Sequence, residues 1–526
     1  MDAIHPIRSY SGVGETAVAD HDSNSRSARW KAFLGPTLAV AVLTYFAIAQ
    51  LSKWPERLRY PGEEDAAEGT QLSEMVHLRR GVDIYRIPSD GEFDSAIYGP
   101  LSYLVGSAVI NPTRPAYLPL RLLSFFSTIS LVTLGGIFAF KLAGRKLAPV
   151  LAVLLLLSSA YLARYGISAR ADMVALFLAF SGFLVFYCYR DSRRALIIAA
   201  MLMLLSFFYK QQFVGAPIAV ITYLILTRQF QRVFLFGGTL AAGGVVLIGI
   251  FSFVLFPHQA FLLHFLSYNH LPFEKNLLLP EVLMFVVPLF VPLLGSADFL
   301  DHRPDKLVLI YLLVSVVTYF LLLSSSGYGA DTNRCLEPLL VLSCVFAARL
   351  ATAKGVLGGM VWTGALTFAL ATVALLSGAF VVPQVERDDF AADDALQQYL
   401  HENFAPRTPI LGYYAGDPIR GGLDAPITNL WHYSALIRKG LLSDRDILSR
   451  INSGGYAAIL LDFDLSRPDS SKMADFYTTR SMREAILRSY ALATQLKLPP
   501  PEFTRFTDGN LYVWVPRRPH DKGTNR

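Results

Sequence analysis

Cysteine and charge are both scarce in this chain of 526 residues. Its three cysteines, Cys188, Cys335 and Cys344, lie in apolar stretches, which excludes a disulfide scaffold or a cysteine-rich zinc site. Charged residues make up 17% of the sequence and hydrophobic residues 53%, against about 25% and about 45–50% in soluble domains. This composition excludes a disordered chain, a coiled coil and an ordinary soluble enzyme.

The small excess of positive charge belongs to the apolar part of the chain. Residues 383–526 hold 18 Lys/Arg and 18 Asp/Glu, so the whole net charge of +6 lies in residues 1–382. A nucleic-acid surface would need a basic stripe on a soluble face. Here the basic residues occupy short loops between apolar segments, a pattern typical of membrane orientation.

The order of polar and apolar stretches divides the chain into three regions. Residues 1–31 are polar, and we expect a disordered cytoplasmic tail there. Residues 32–382 are expected to form a transmembrane domain with a large first outer loop at 53–116, and residues 383–526 a soluble domain. Because a spanning helix needs about 20 mostly apolar residues, we identify eleven candidate spans. They are 32–52, 117–143, 147–164, 171–189, 194–209, 212–227, 232–256, 279–296, 306–325, 335–352 and 356–382.

The loops between these spans indicate their orientation. Every second junction is short and rich in Lys and Arg, as at 190–194. The positive-inside rule places these junctions in the cytoplasm. An odd number of spans then leaves residues 53–116 and 383–526 outside. The predicted fold is a mainly α, polytopic transmembrane helix bundle with a small extracytoplasmic α/β domain.

Shorter elements are predicted in the two outer regions. In the first outer loop, residues 66–78 have helical apolar spacing and end at Gly81. The apolar segment at 98–110 has the length of a re-entrant or interfacial helix. The outer domain shows no phosphate loop, nucleophile elbow or metal cluster, so we expect it to be accessory. Its predicted elements are the helix 393–404, the strand 409–414, the helix 444–451, the strand 456–463, the helix 481–495 and the strand 511–515.

Polar residues beside apolar spans are costly and are therefore candidates for chemistry. Three adjacent acids, Glu63, Glu64 and Asp65, follow the first span. Their mutual repulsion can raise one pKa and produce a general base, and a solvated acidic loop is the alternative. Glu68 and Glu74 lie on the helix that follows. We expect Glu68→Gln to be milder than a change in the acidic triplet.

Cations stand at the outer ends of later spans. Arg170 and Asp172 lie where the fourth span begins. They form either a structural ion pair or a site in which Arg170 binds a phosphate and Asp172 orients Arg170 or an acceptor. Lys210 lies in a tight turn between two apolar stretches. It either snorkels to the interface or presents a point charge to a phosphate.

The tenth span begins with Asn333, Arg334 and Glu337 on the same outer side. An unpaired carboxylate one turn into an apolar helix would be costly. Arg334, three residues earlier on the same helix face, is therefore the predicted partner of Glu337. A packing salt bridge is the alternative to a role in a binding site.

The outer loop at 257–278 contains three histidines, His258, His264 and His270. Their spacing does not match a metal motif, because the last two lie six residues apart and on different helix faces. We expect a flexible substrate loop here and no metal site.

Together these candidates place acids, arginines and a lysine on one side of a membrane bundle, beneath a soluble domain. An acid can take the proton of a hydroxyl, cations suit a phosphate leaving group, and the apolar bundle suits a lipid tail. The combination indicates transfer of a group from a lipid phosphate.

Several short motifs, in this order and on this membrane side, carry a family resemblance. They are the acids after the first span, Ser73-Glu74-Met75, Gly81-Val-Asp-Ile-Tyr85, Tyr98-Gly-Pro100-Leu, Arg170-Ala-Asp172, Lys210-Gln and Asn333-Arg-Cys-Leu-Glu337-Pro. Over roughly residues 32–350 the chain resembles the GT-C superfamily of polyprenyl-phosphate-sugar-dependent membrane glycosyltransferases. That superfamily includes protein O-mannosyltransferases, lipid A aminoarabinose transferase and rhizobial lipopolysaccharide-core transferases.

The resemblance implies roles for individual residues. Aligned on the motif at residue 74, the family's first-loop Asp-Glu pair falls on Glu64 and Asp65, which become the candidate catalytic carboxylates. Family members often carry a lysine before the proline of the later loop motif, where this chain has Tyr98-Gly99. The corresponding phosphate contact is expected at Lys210. The other implied substrate-binding residues are Tyr98, Arg170, Asp172, Asn333, Arg334 and Glu337.

The resemblance also implies a function. A sugar would pass from a polyprenyl-phosphate donor to an acceptor hydroxyl of a lipid, glycan or protein, outside the bacterial inner membrane and with inversion by direct displacement. The expected partners are the polyprenyl-phosphate sugar and membrane lipid, and no nucleic acid. The sequence indicates no cofactor, and a divalent metal is compatible with it.

Two other classes of function stay open. One is a transporter or flippase of lipid-linked saccharide, which inverted repeats and spans broken at the midplane would favour, and neither is evident in the sequence. The other is a structural membrane protein whose outer domain binds a partner, and the large acidic first loop argues against it.

Cysteine labelling tests the predicted orientation. In a background without the three native cysteines, Ser192→Cys should stay unlabelled by a membrane-impermeant reagent in intact cells, because the junction at 190–194 faces the cytoplasm. A cysteine introduced at an exposed position in 53–116 should be labelled. Labelling of position 192 in intact cells would contradict the orientation.

Overall fold

The computed structural model describes residues 37, 40–256, 260–269, 305–325, 332–352, 385–467, 474–475, 477–497 and 509–517. Apolar helices form a bundle within residues 40–352, and an α/β domain follows within residues 385–517. The predicted tail at 1–31 and the candidate spans at 279–296 and 356–382 lie outside the described residues.

The bundle is built around a long apolar helix, α5. This helix packs against α6, α8 and α13, while α9 packs against α8 and α11, and α10 against α12. Gly135 of α5 permits the close approach, since a Cβ there would lie 3.0 Å from Leu156 and 3.3 Å from the sulfur of Cys344. The helices are α1 (40–51), α2 (Trp54–Arg59), α3 (Ala66–Arg79), α4 (Pro100–Val109), α5 (Leu118–Ala143), α6 (Leu147–Leu157), α7 (Ala160–Tyr165), α8 (Asp172–Cys188), α9 (Arg193–Tyr209), α10 (Gly215–Leu226), α11 (Phe230–Gly249), α12 (Lys306–Ser325) and α13 (Leu336–Thr352). A π-helix, Ile250–Leu255, continues α11, a second one covers Leu263–Tyr268, and a 3₁₀ turn, Thr332–Cys335, precedes α13.

Three helices of the described chain are long and apolar enough to cross a membrane: Leu118–Ala143, Phe230–Leu255 and Asn333–Thr352. The prediction of eleven full spans is therefore not confirmed. Several apolar helices are shorter, such as α8 and α9 with 17 residues each, or about 26 Å at 1.5 Å per residue. Both reach only as far as the polar residues Asp172 and Lys210.

The candidate span at 147–164 is broken into α6 and α7. Two serines stand at the break, and the hydroxyl of Ser158 donates to the carbonyl of Leu155 at 3.1 Å. Serine side chains compete for backbone partners and favour helix ends over helix interiors. A single continuous helix over these residues was the wrong prediction.

Within residues 53–116, the predicted first outer loop, the observed helices agree closely with the sequence prediction. The helix expected at 66–78 is α3, capped at its start by the side chain of Asp65, and Gly81 adopts a left-handed φ of +81° just beyond its end. The short apolar segment at 98–110 is the ten-residue helix α4. The short helix α2 was not predicted.

The α/β domain places a four-stranded sheet between two helical layers. The strands β1 (Ile410–Gly412), β2 (Ala458–Leu461), β3 (Tyr490–Lys497) and β4 (Asn510–Pro516) lie in the order β1-β2-β4-β3, and the β1–β2 pair alone is parallel. Alternate residues of β2 face opposite sides, so Leu460 packs towards α14 (Arg387–Asn403). Ile459 packs towards the remaining longer helices. These are α16 (Leu430–Arg438), α17 (Arg445–Asn452) and α18 (Arg480–Ser489), and a short α15 (Gly416–Arg420) follows β1.

One element of this domain differs from its prediction. The helix expected at 481–495 ends at Ser489, and residues 490–497 form β3, paired antiparallel with β4. The sequence there, Ala-Leu-Ala-Thr-Gln-Leu-Lys, has helical propensity, but pairing with a neighbouring strand overrides it.

The α/β domain docks on the first outer loop through two glycines. A Cβ on Gly416 of α15 would overlap the hydroxyl of Tyr117 and lie 2.8 Å from Cα of Gly69 in α3. Neither backbone can therefore carry a side chain where α3 and α15 meet. This contact brings the α/β domain directly against the helix that follows the acidic triplet.

Gly416→Ala should weaken this docking. The added methyl group has no free space, and overpacking of this kind costs about 1–3 kcal/mol. We expect a lower unfolding temperature and faster proteolytic release of the α/β domain. Gly421→Ala is the matched control, because the nearest atom to its Cβ is the flexible end of Gln397 at 3.3 Å. Equal stability of the two variants would contradict the tight contact.

Candidate active site

The turn that carries the acidic triplet is held in place by Arg121 of α5. This arginine is fully buried. It donates hydrogen bonds to the backbone carbonyls of Arg57 at 2.9 Å, Tyr60 at 2.5 Å and Gly62 at 2.8 Å. A guanidinium has five donors in a fixed fork and can serve several acceptors at once. Arg121 therefore fixes the backbone that leads into residues 63–65.

Glu68 of α3 is the counterion of Arg121. Their side chains lie 2.7 Å apart with no exposed surface. Glu68 also accepts hydrogen bonds from the backbone N–H groups of Glu64 at 2.9 Å and Ala169 at 2.5 Å, and from the Ser168 hydroxyl at 3.2 Å. Its carboxylate thus joins the first outer loop, α5 and the turn before α8. This burial is a physical reason to expect a severe effect of Glu68→Gln, where the sequence suggested a mild one.

Glu64, one of the two predicted catalytic carboxylates, is paired with Arg57. Both its oxygens accept hydrogen bonds from this guanidinium, at 2.8 and 2.5 Å. Arg57 also donates to the carbonyls of Ala163 at 2.7 Å and Arg164 at 3.0 Å, near the end of α7. A cation at a helix carboxyl end is favoured by the helix dipole. Glu64 therefore anchors the turn to α7.

Asp65, the other predicted catalytic carboxylate, has the more accessible side chain. Its Oδ1 accepts the N–H groups of Ala67 at 2.9 Å and Glu68 at 3.1 Å, which caps α3. Its Oδ2 lies 3.2 Å from Nη1 of Arg170. The side chain of Asp65 is 16% exposed, against 4% for Glu64.

Asp172 gathers the predicted phosphate-binding residues. Its Oδ1 accepts hydrogen bonds from Nζ of Lys210 at 2.6 Å and from Nδ2 of Asn333 at 2.7 Å. Its Oδ2 lies 3.3 Å from Nε of Arg170. The starts of α8 and α13 and the end of α9 therefore meet at one carboxylate, and through Arg170 they connect to Asp65.

The aromatic ring of Tyr98 completes this cluster. Nζ of Lys210 lies 4.8 Å from its centroid, within the range of a cation–π contact. Five predicted residues, Tyr98, Arg170, Asp172, Lys210 and Asn333, are therefore brought together.

Glu337 has other partners than the one predicted. Its carboxylate accepts hydrogen bonds from the N–H groups of Gly215 at 3.2 Å and Ala216 at 2.9 Å, at the start of α10, and from the Tyr311 hydroxyl at 3.1 Å. A helix amino end favours a negative charge. The prediction that Arg334 neutralises Glu337 is therefore corrected: the start of α10 and a tyrosine hold this carboxylate.

Within the acidic triplet, Glu63 has a raised pKa, and burial is the main cause. Burial, together with Asp417 and the nearby acids, raises the pKa of Glu63 well above its usual value. Its Oε2 accepts a hydrogen bond from the Tyr117 hydroxyl at 3.0 Å. Burial likewise raises the pKa of Asp417 to about 7, although Arg420 acts in the opposite direction. These two acids meet where the α/β domain docks.

His264 is the one described residue of the three predicted loop histidines. It is buried, with its ring nitrogens 3.2 Å from the Ser95 carbonyl and 3.0 Å from the Arg86 carbonyl. His258 and His270 lie outside the described residues. In the described part of the chain no three His, Cys, Asp or Glu residues are grouped as metal ligands would be, so no residue is assigned to a metal.

Sequence reasoning missed the residues that hold the acidic turn. Arg121 carried a detectable signal, since an arginine four residues into an apolar helix is costly unless paired. Arg57 and Asp417 carried none, because their roles depend on α7 and on the docked domain.

The fold is shared with proteins of known structure. ArnT from Cupriavidus metallidurans in the apo state is similar with a TM-score of 0.55 and 12% sequence identity, over 91% of this chain and 97% of that chain. The same protein bound to undecaprenyl phosphate gives a TM-score of 0.58 and 13% identity over the same shares. The oligosaccharyltransferase of Archaeoglobus fulgidus in the apo form gives 0.51 and 12% over 86% and 73%. The chain therefore shares the overall fold of these proteins. No family model and no curated protein sequence matches the chain.

Glu68→Gln tests the buried pair at the base of the site. The amide leaves Arg121 as an uncompensated buried charge, which costs about 3–5 kcal/mol. We expect a marked fall in the unfolding temperature of the purified protein. Glu56→Gln is the control, since Glu56 lies exposed on α2 of the same loop and should change stability by no more than about 0.5 kcal/mol. Equal unfolding temperatures for both variants would refute the role assigned to Glu68.

Proposed function

We propose that this chain is a membrane glycosyltransferase that moves a sugar from a polyprenyl-phosphate donor to an acceptor hydroxyl on the extracytoplasmic side. One observation carries the proposal: Asp65, Arg170, Asp172 and Lys210 form a single cluster at the ends of the helices. The same fold occurs in a protein with a structure bound to undecaprenyl phosphate.

The two cations suit the phosphate of the donor. Arg170 presents a planar fork that can grip two phosphate oxygens, and Lys210 presents a compact point charge. Asp172 holds both, with Nζ of Lys210 at 2.6 Å and Nε of Arg170 at 3.3 Å. Cations fixed before the reaction stabilise the charge that develops on the leaving phosphate.

We assign the general base to Asp65 and a positioning role to Glu64. Both oxygens of Glu64 are occupied by Arg57, whereas Oδ2 of Asp65 has a single described contact, with Nη1 of Arg170. A phosphate that binds Arg170 would compete with Asp65 for the hydrogen bond from Nη1. Binding of the polyprenyl-phosphate sugar would then release a carboxylate oxygen of Asp65 for the acceptor hydroxyl. The base would thus become available only when the sugar donor is bound.

The reaction is a direct displacement at the anomeric carbon. The acceptor oxygen forms its bond to that carbon while the bond to the phosphate oxygen breaks. The proton of the hydroxyl passes to Asp65, and the electron pair leaves with the polyprenyl phosphate. A single displacement inverts the anomeric configuration.

The orientation of the helices supports an outer site. The cluster lies at the amino ends of α8 and α13 and at the carboxyl end of α9. The basic junction at 190–194 joins the opposite ends of α8 and α9. With that junction in the cytoplasm, the site faces outwards, and we place the protein in the bacterial inner membrane with the α/β domain outside.

Variants of the cluster separate binding from chemistry. Asp65→Asn should abolish transfer from a defined polyprenyl-phosphate sugar while the affinity for undecaprenyl phosphate is retained, because the amide keeps the cap of α3 but cannot take a proton. Arg170→Lys and Lys210→Met should lower transfer by about 10²–10³ and weaken binding of the lipid phosphate.

Asp191→Asn, an exposed change in the junction at 190–194, is the control and should behave as wild type. Full activity in both Asp65→Asn and Glu64→Gln would remove the turn at 63–65 as the catalytic site. Movement of intact donor across the bilayer, without release of polyprenyl phosphate, would favour a flippase.

A further inference from the structure

Residues 93–99 of the first outer loop connect the α/β domain with the end of α9. At one end of this segment, the N–H of Phe93 donates to the carbonyl of Pro426 at 2.7 Å, and the N–H of Thr428 donates to the carbonyl of Phe93 at 3.0 Å. The segment therefore pairs with the α/β domain like a short parallel strand.

Thr428 is the centre of this pairing. Its fully buried hydroxyl accepts the N–H of Ser95 at 3.0 Å and donates to Oε1 of Glu74 at 3.0 Å. The same carboxylate oxygen accepts the N–H of Ala96 at 2.8 Å. One threonine of the α/β domain thus fixes the path of the segment against α3. A buried hydroxyl that both donates and accepts a hydrogen bond is costly to remove, because its two partners are left unsatisfied.

The other end of the segment meets the proposed phosphate site. The carbonyl of Ile97 accepts hydrogen bonds from the side chains of Gln211 at 3.4 Å and Asn269 at 2.5 Å. A Cβ on Gly99 would overlap the carbonyl of Phe208, so the segment lies directly against the last turn of α9. Tyr98 is the residue between Ile97 and Gly99, and its ring centroid lies 4.8 Å from Nζ of Lys210.

We propose that Thr428 is a positioning residue for the phosphate site: the docked α/β domain sets the segment at 93–99, and the segment sets the Tyr98 ring and the Lys210 ammonium. This inference rests on the proposed function, since it assigns Lys210 to the donor phosphate. It also revises the expectation of an accessory domain. We assign no catalytic residue to the described part of the α/β domain, but binding of the donor depends on the docking of this domain.

The chemistry of the contacts supports this path. The path from Thr428 starts with directional hydrogen bonds: the Thr428 hydroxyl accepts the N–H of Ser95, and Oε1 of Glu74 accepts both that hydroxyl and the N–H of Ala96. The backbone of residues 96–98 then leads to Tyr98, and hydrogen bonds weaken steeply when they are misaligned. A site must hold its groups to within about 0.5 Å, which requires support from the surrounding residues. For Lys210 that support includes Tyr98, whose N–H lies 3.3 Å from the Tyr103 hydroxyl and whose carbonyl accepts the Tyr85 hydroxyl at 3.1 Å.

The test measures the affinity of the full-length protein for undecaprenyl phosphate in detergent micelles, per folded protein. Thr428→Val keeps the shape and removes the hydroxyl, and it should weaken binding about tenfold. Thr428→Ser restores the hydroxyl and should bind as wild type. Thr478→Val is the matched control, because that buried hydroxyl donates within its own domain, to the Ala474 carbonyl.

A double-mutant cycle with Lys210→Met separates positioning from general destabilisation. If Thr428 acts through Lys210, Thr428→Val should have little further effect once Lys210 is replaced. Tyr98→Leu acts at the other end of the path, and it too should have little further effect on binding once Lys210 is replaced. This second cycle keeps the test informative if Thr428→Val folds poorly.

Three results would overturn the inference. Binding by Thr428→Val equal to wild type is one, and an undiminished effect of Thr428→Val in the Lys210→Met background is the second. The third is equal weakening in Thr478→Val. Failure of the proposed function looks different: Lys210→Met alone would then bind undecaprenyl phosphate as tightly as wild type, and the inference would fall with it.

Discussion

A charged side chain inside a helix bundle must find its counterion within the protein, and Arg121 and Glu68 meet this constraint with no exposed surface. Once paired, Arg121 still has donors for three backbone carbonyls of the preceding turn. The backbone that carries Glu63, Glu64 and Asp65 is therefore determined by a pair that does no chemistry itself. Replacing either partner would release the turn as well as leave a charge unpaired.

The proposed function depends on a difference between two neighbouring carboxylates, since the side chain of Glu64 is 4% exposed and that of Asp65 is 16% exposed. Arg57 takes both oxygens of Glu64, whereas Asp65 shares a contact with Arg170, which also pairs with Asp172. A cluster of two acids and two cations has no net charge, and the attraction between these groups offsets part of the cost of removing them from water. An incoming phosphate can exchange with one of the acids, and this exchange would couple donor binding to the availability of a base.

The sequence predicted those residues whose energetic cost can be recognised from their immediate neighbours along the chain. Arg170, Asp172 and Lys210 stood out because charges at the ends of apolar helices are expensive, and the structure brings them together. Partners supplied by other elements were not visible: Glu337 pairs with the start of α10, and β3 forms only because β4 lies beside it. Apolar stretches do not reveal where a helix breaks, as at Ser158 between α6 and α7. Docking of the α/β domain through Gly416 left no local signal, since any turn can contain a glycine.

The most direct test of the central claim is the product balance of a single turnover with wild-type protein and a defined polyprenyl-phosphate sugar. The account predicts one polyprenyl phosphate released for each sugar transferred, with the anomeric configuration inverted, because one displacement at the anomeric carbon connects the two events. Transfer with retained configuration, or sugar transferred without release of polyprenyl phosphate, would contradict it.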